Sequence, residues 1–374
     1  MLKNNMSKSA DFPHEVHPAV RLVSGSERSA LPLVKATHAK LVDTRKSGQD
    51  TFHYEWRARD NRKARHQVYP PNSTKPTRRK TGWSKLGRML VLEYWNISWW
   101  IAVLFTLGSV VWCINGFVVF LPYVYSNVSN NSVAGGWTGW IGATIFAFAS
   151  VLLIWEAWNR SNTVYFGWGL DQVLHRHPLD LERTGTYRDW AEIDHSNNSP
   201  GSITATPPGS RKWIWWTTDT KYWHELGFLA GFAQLCAATI FWISGFTALP
   251  EIQDAIEDNI PLLNGVFWSP QVVGGSGFII SSALYMLETQ TKWYCPAVTD
   301  LGWQIGFWNF IGAIGFTLCG AFGYSSRHWA QYQSALSTFW GSWAFLIGSV
   351  MQWYEAVNAV EPTVPSQGED EKMA

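Results

Sequence analysis

The chain has 374 residues, a formal net charge of +1 and four cysteines. This length would accommodate two soluble domains, but 47% of the residues are hydrophobic and 25 are Trp, concentrated in six long stretches almost without charge. The composition therefore argues against a soluble globular protein. Three of the cysteines lie inside the apolar stretches, and the set shows neither a disulfide framework nor the spacing of a metal site.

The first part of the chain, residues 1–94, is polar and rich in Lys and Arg, notably from Arg57 to Arg88. It has little apolar periodicity, so we predict a cytosolic, mostly disordered arm. Met1 to Val20 contains no apolar stretch of the signal-peptide kind, and we expect the first membrane span to act as its own insertion signal. A basic arm beside a membrane favours contact with anionic lipid headgroups, a simpler interpretation than nucleic-acid binding. The residues identify no protein partner.

Six apolar stretches follow, each with about the 20 residues that cross a bilayer core. They lie near residues 97–121, 137–158, 226–249, 266–287, 301–323 and 338–357. Lys and Arg favour the cytosolic side of short loops, and they occur before the first stretch, between the second and third, and after the fourth. We therefore predict a multipass protein with both termini in the cytosol, in the plasma membrane or a secretory-pathway membrane.

The first predicted outer loop contains sequons that begin at Asn127 and Asn130. An Asn-x-Ser sequence exposed to the secretory lumen is an acceptor for N-linked sugar, so we predict that this loop can be glycosylated. Further sequons begin at Asn72, Asn159 and Asn197. The predicted topology places them in the cytosol, where we expect no sugar.

The second, fourth and sixth stretches contain one pattern at identical spacing. It reads Gly142, Phe146, Ser150 and Glu156, then Gly274, Phe278, Ser282 and Glu288, then Gly341, Phe345, Ser349 and Glu355. Three matches predict a triplicated two-helix unit. The repeated positions fall within a sector of roughly 120° on a helix, so they share a face. A carboxylate turned deep into lipid costs about 2.5 kcal/mol or more, and we expect this face to point into the protein.

The first, third and fifth stretches repeat as well. They begin with small residues four apart, Ser98 and Ala102, Gly227 and Gly231, Gly302 and Gly306, and farther along Trp112, Phe241 and Phe316 coincide. Small residues at this spacing let helix backbones approach closely in lipid. We predict packing seams at these glycines and at Gly142, Ser150, Gly274, Ser282, Gly341 and Ser349. The predicted fold is an all-α membrane protein: six transmembrane helices forming three parallel-oriented two-helix hairpins with pseudo-threefold symmetry.

The long cytosolic loop contains His175, His177 and several acidic residues. Their spacing fits no zinc or di-iron pattern, and we expect neither a metal nor a cofactor. A linker rich in Ser, Asn, Pro and Gly runs from Asp194 to Ser210. The predicted division of the chain is an N-terminal region over 1–94, hairpins over 95–159, 223–290 and 291–360, the cytosolic loop over 160–222 and an acidic cytosolic tail over 361–374.

Glu156, Glu288 and Glu355 are the strongest candidates for a functional site, because the same acid returns at the same depth three times. One interpretation is a cation or proton site. The other is a set of interfacial acids that lock the hairpins together by pairing with cytosolic cations such as Lys85, Arg88, Arg160 or Lys292. Asn96, Glu225 and Asp300 begin their helices, where capping of free N–H groups explains a short polar or acidic residue.

Known enzyme signatures are missing, including His-Glu-x-x-His, Gly-x-Ser-x-Gly and the Walker-type phosphate loop. We therefore expect a non-enzymatic membrane scaffold or sensor. A transporter or channel for a small solute, cation or proton, using the three glutamates, is the alternative, and a membrane enzyme is a third. The repeated inner face of Gly, Ala, Ser and Phe favours a packed bundle, because it offers few groups to hold a hydrated solute.

The sixth stretch contains Phe345-Leu346-Ile347-Gly348-Ser349, which resembles the signature of the small two-helix YrhK-like membrane domains. The first stretch has a similar run, Phe105 to Val110, and ends in Phe120-Leu121-Pro122; in the fourth, Phe278 to Ser282, Ser replaces Gly. The whole chain also resembles fungal proteins described only as integral membrane proteins. These resemblances imply helical hairpins in a membrane and carry no activity or site residue.

Overall fold

The computed structural model describes residues 20–23, 25–43, 52–63, 82–160, 163, 166 and 213–358. Most of these residues are helical. Four helices, Ile97–Val124, Ser132–Trp158, Leu226–Thr247 and Leu301–Gly323, are long and apolar enough to cross a bilayer, which is compatible with a multipass integral membrane protein. The predicted linker at Asp194–Ser210, the histidines of the cytosolic loop and the acidic tail lie outside the described residues.

The described elements comprise three strands and ten helices. They are β1 Val20–Leu22, β2 His38–Asp43, β3 Phe52–Arg57, α1 Ala58–Arg62, α2 Gly82–Gly87, α3 Ile97–Val124, α4 Ser132–Trp158, α5 Leu226–Thr247, α6 Pro250–Ile256, α7 Ile260–Leu263, α8 Ser269–Glu288, α9 Leu301–Gly323 and α10 His328–Val357. Single 3₁₀ turns cover Arg88–Leu90 and Thr220–His224, and a π-helical turn, Asn264–Trp268, joins α7 to α8.

The six long helices form a closed ring in chain order. Each of α3, α4, α5, α8, α9 and α10 packs against the next, and α10 packs back against α3. Helices occupy all six predicted stretches, although α10 begins at His328 rather than near residue 338. Two members of the ring, α8 and α10, fall outside the group of four with a clearly membrane-spanning composition.

Aromatic side chains fill the middle of the ring. Trp112, Phe241 and Phe316, which occupy matching positions in α3, α5 and α9, contact one another with ring centroids 4.7 to 5.7 Å apart. Phe345 adds contacts to Phe146 at 5.6 Å and to Phe316 at 5.4 Å. These edge-to-face and tilted arrangements are the favourable ones for aromatic pairs. The helices therefore close around a packed aromatic centre at this level.

The repeated glycines of helices α4, α8 and α10 lie against Trp112, Phe241 and Phe316. A Cβ atom added to Gly142 would lie 2.7 Å from Trp112 Nε1, one on Gly274 would lie 2.7 Å from Phe241 Cβ, and one on Gly341 would lie 3.2 Å from Phe316 Cδ2. At Gly142 and Gly274 this spacing is shorter than real Cβ contacts, so only Gly fits without movement of the neighbour. The pattern of small residues therefore allows the ring of helices to close.

The other predicted seam residues are also at helix contacts. Ser150, Ser282 and Ser349 are buried, and Ser349 Oγ donates to Ser109 Oγ of α3 at 3.4 Å. A Cβ on Gly306 would lie 2.7 Å from Met286 Cγ, whereas one on Gly231 would make only an ordinary contact, 3.4 Å from the Tyr285 hydroxyl. The constraint is consequently tighter at the second glycine of α9 than at that of α5.

The N-terminal arm contains a small antiparallel sheet in the order β1-β2-β3. Ala39 pairs with Trp56, and both are buried. The turn before β2 is joined to the bundle, because the Lys35 backbone N–H donates to the His224 carbonyl at 2.6 Å and Thr37 Oγ1 donates to the Gln290 carbonyl at 3.5 Å. The predictions of a mostly disordered arm and of an all-α fold are wrong for residues 20–23, 25–43 and 52–63. A sheet of this size is stable only when it packs against another element. The polar sequence of the arm gives no indication of that packing.

Candidate functional site

Three cations of the arm lie on one face of the short helix α1 and just beyond it. Arg59, Arg62 and Lys63 are three and four residues apart, a spacing that places side chains on the same side of a helix. Strand β3 runs directly into α1 and carries these residues to the end of the ring. All three are buried, with exposures of 8%, 3% and 6%. The arm therefore inserts three positive charges into the bundle.

Arg62 joins the first two repeated glutamates. Its Nε donates to Glu288 Oε1 at 3.3 Å and its Nη2 to Glu288 Oε2 at 2.7 Å, a bidentate arrangement. Its Nη1 donates to Glu156 Oε2. Glu156 also accepts from Ser98 Oγ at 2.5 Å. One guanidinium thus bridges helices α4 and α8.

Arg59 and Lys63 hold the third glutamate. Arg59 donates from Nε at 3.1 Å and from Nη2 at 2.9 Å to the two oxygens of Glu355, and Lys63 Nζ donates to Glu355 Oε2 at 2.6 Å. Arg59 Nη1 also lies 3.9 Å from Glu288 Oε2. We call Glu156, Glu288, Glu355, Arg59, Arg62 and Lys63 together the ion cluster. It connects all three predicted hairpins through one helical turn of the arm.

The ion cluster balances its formal charge, with three carboxylates and three cations. An isolated buried charge is very costly, and burial is tolerated when the charges are paired and hydrogen-bonded. Burial by itself would lower the pKa of Arg59, but the charge of Glu355 raises that pKa above its usual value. For Arg62, burial is likewise outweighed by Glu288 and Glu156, which raise its pKa. Both guanidinium groups therefore stay protonated.

The first small residue of each of the helices α3, α5 and α9 lies against the ion cluster. A Cβ on Gly227 would lie 2.7 Å from Arg62 Nε, and one on Gly302 would lie 2.5 Å from Arg59 Nε. The matching residue of α3 is Ser98, whose hydroxyl binds Glu156. These positions explain why the repeat demands a small residue here: the guanidinium groups occupy the space of a larger side chain.

The partners expected for the glutamates from the sequence are wrong. Arg88 lies 3.7 Å from Glu93, Arg160 pairs with Glu225, and Lys292 lies over the Tyr294 ring. Lys85 accepts from Asn358 Nδ2 through its backbone carbonyl at 3.0 Å. All four are close to the bundle in sequence, whereas the actual partners lie about a hundred residues or more from the acids they bind. The only sequence signal for them is the placement of three cations on one helical face.

A second set of polar contacts surrounds the ion cluster at the helix starts. Asn96 accepts from Ser98 N at 3.0 Å and Asp300 accepts from Gly302 N at 2.8 Å, so both act as caps. Asp300 also binds Arg57 Nη1 at 2.9 Å. Glu225 differs from the expectation, because its side chain makes no cap and instead binds Lys35 Nζ at 2.9 Å and Arg160.

A cavity of about 50 Å³ lies between the ion cluster and the aromatic centre. Arg59, Arg62 and Lys63 line one end of it. Its walls combine apolar side chains with hydroxyl and amide groups, which are Phe105, Phe146, Leu153, Ile305, Phe345, Ser109, Gln234, Ser282, Tyr285, Asn309, Ser349 and Gln352. A water molecule requires at least roughly 10–15 Å³ of such space, so the cavity has room for about three.

Asn127 and Asn130 lie in the exposed loop between α3 and α4, well separated from the ion cluster in sequence. Their glycosylation stays a prediction. Within the described ranges, no group of three or more His, Cys, Asp or Glu side chains is arranged to hold a metal ion. No protein-family model, curated protein or solved structure matches this chain. The site therefore has to be interpreted from its own geometry.

Proposed function

We propose that this chain is a non-enzymatic, multipass membrane scaffold or sensor whose N-terminal arm is docked in the cytosolic end of a six-helix bundle. The observation that carries the proposal is the ion cluster, in which all three repeated glutamates bind cations of the arm. The glutamates then serve to hold the hairpins and the arm together. The docked arm presents the rest of the N-terminal region and the cytosolic loop to partners on that side of the membrane.

The closed ring supports six spans rather than four. Helix α8 packs between α5 and α9, and α10 packs between α9 and α3, so each lies between two helices of membrane-spanning composition. With 20 and 30 residues and a rise of about 1.5 Å per residue, both reach across a hydrocarbon core of about 30 Å. Their polar residues lower the mean hydropathy, and a helix can carry such residues on a protein-facing side.

Matching residues of the three hairpins support the pseudo-threefold arrangement. Trp112, Phe241 and Phe316 meet in the centre, and the three glutamates meet in the ion cluster. The distribution of basic residues supports a cytosolic position for both termini and for the ion cluster. The resemblance to YrhK-like hairpins and to fungal integral membrane proteins is consistent with this arrangement, and a basic arm on this side of the membrane would contact anionic headgroups.

Transport through the axis is disfavoured by two features. The three carboxylates that a cation would use are already bound to Arg and Lys, and the guanidinium groups occupy the position of the cation. Aromatic side chains fill the next layer of the axis, where Trp112 and Phe316 ring centroids are only 4.7 Å apart. A permeating ion would have to displace both.

Flux measurements on the reconstituted protein test the proposal directly. In liposomes with proton, potassium or sodium gradients, we expect the natural chain to dissipate each gradient no faster than empty liposomes. A flux that disappears when Glu156, Glu288 and Glu355 are all replaced by Gln, in protein that remains folded, would establish the transporter instead.

Docking of the arm is tested separately by hydrogen–deuterium exchange. Peptides that cover α1 should exchange slowly in the natural protein and rapidly in Arg62→Gln, while α3 remains protected in both. Rapid exchange of α1 in the natural protein would contradict the docked arm.

A further inference from the structure

The cavity above the ion cluster departs from the threefold pattern of the bundle. In helices α3, α5 and α9, the residue seven positions after the first small residue differs, and is Phe105, Gln234 or Asn309. The residue three positions before each repeated glutamate differs as well, and is Leu153, Tyr285 or Gln352. All six side chains line the same cavity. At these two positions the first hairpin therefore contributes apolar side chains, whereas the second and third contribute amide and hydroxyl groups that together form a polar wall.

The polar wall contains a group without a partner. The Tyr285 hydroxyl is buried and has no hydrogen-bond partner among the described residues. Its ring is held in place by Arg62, whose Cζ lies 5.4 Å from the ring centroid. A buried polar atom normally has a partner in the protein or in bound solvent. The hydroxyl is therefore available to hydrogen-bond a molecule that enters the cavity.

The hydrogen-bond donors at the end of the cavity suit an anion. Arg59, Arg62 and Lys63 line the cavity, but none of the three glutamates does. Of the five N–H groups of a guanidinium, Arg62 directs three to the glutamates and Arg59 directs two. Donors thus remain on both side chains for a ligand in the space that they line.

We propose that this cavity binds one small planar oxyanion of the size of formate or nitrate. Guanidinium groups match the planar oxygens of such an anion, the Tyr285 hydroxyl and the amides of Gln234, Asn309 and Gln352 supply further donors, and Phe105 and Leu153 contact its flat face. A volume of about 50 Å³, with room for about three waters, suits an anion of three or four heavy atoms. The site rests on the proposed docking of the arm, because Arg59 and Arg62 form one end of it.

Calorimetric titration of the full-length protein in detergent tests the site, with sodium formate and sodium nitrate as probes in sodium gluconate of the same ionic strength. The natural protein should bind either probe in a saturable way with a stoichiometry near one. Tyr285→Phe keeps the ring and removes the hydroxyl, and should weaken binding at least about tenfold, since a hydrogen bond to a charged group is lost. Tyr294→Phe, at an exposed tyrosine, is the matched control and should bind like the natural chain.

Three results would overturn the site: no saturable binding of either probe, equal affinity in Tyr285→Phe and the natural protein, or binding of chloride without binding of the oxyanions. Hydrogen exchange of α1, measured on the same preparation, separates the two proposals. Slow exchange without anion binding refutes the anion site alone, whereas rapid exchange refutes the docked arm, and the anion site with it.

Discussion

Replacement of Arg62 by Gln should destabilise the protein more than any other single change in the arm. Arg62 binds both Glu156 and Glu288, and only 4% of its side chain is exposed. Removing one partner of a buried ion pair leaves an uncompensated charge and costs about 3–5 kcal/mol. After Arg62→Gln, Glu156 keeps the Ser98 hydroxyl and Glu288 keeps Arg59 at 3.9 Å, so we expect a value at the lower end, about 3 kcal/mol.

Arg57→Gln is the matched control for this prediction. Arg57 is also an arginine of the arm that binds an acid of the bundle, Asp300, but 40% of its side chain is exposed. Exposed pairs contribute about 0–1 kcal/mol. The assay is the free energy of unfolding in mixed detergent micelles, followed by Trp fluorescence. Equal losses of unfolding free energy in Arg57→Gln and Arg62→Gln would refute the reasoning. The double variant Arg62→Gln/Glu288→Gln should be more stable than Arg62→Gln alone, and equal or lower stability of the double variant would also refute the reasoning.

Three further changes test other parts of the structure. Gly302→Ala would place a methyl group 2.5 Å from a guanidinium nitrogen of the arm and should lower the free energy of unfolding by about 1–3 kcal/mol. The control is Gly265→Ala, where nothing lies within 4 Å, and it should change the free energy of unfolding by less than about 0.5 kcal/mol. A larger loss in Gly265→Ala than in Gly302→Ala would contradict the described packing. Ser98→Ala removes a hydrogen bond to a carboxylate and should cost about 1.5–3 kcal/mol, measured in the same titration. If the loop between α3 and α4 faces the secretory lumen, the protein made in a eukaryotic host should carry glycosidase-sensitive sugar that is lost when Asn127 and Asn130 become Gln; an unchanged electrophoretic mobility after glycosidase would argue against that topology.

The acids of the ion cluster were predictable, whereas their cations were not. Glu156, Glu288 and Glu355 stand out because the chain repeats them at fixed distance from a Gly and a Phe, and repetition is visible without a structure. Arg59, Arg62 and Lys63 occur once, among 29 Lys and Arg. Their function depends on strand β3, which carries them to the end of the ring, and no pattern near them in the sequence indicates which acids they bind.

The cavity was hidden for a related reason. A sequence repeat is recognised from positions that carry the same or similar residues, whereas Phe105, Gln234 and Asn309 differ from one another. The same holds for Leu153, Tyr285 and Gln352. Only the closed ring of helices shows that these six residues line one cavity. Agreement between the repeats predicted which residues pack at the helix contacts, whereas the positions that differ between the repeats line the cavity.

The ion cluster also constrains the order in which the protein can be completed. Three buried carboxylates gathered at one end of a bundle repel one another unless cations pair with them. Arg62 can pair once the first two hairpins are present, because it binds Glu156 and Glu288. Arg59 and Lys63 depend mainly on Glu355, near the end of the last helix. The arm is synthesised first, but its last ion pairs form only when α10 is in place. A chain that lacks α10 should therefore hold the arm loosely, because Arg59 and Lys63 lose Glu355.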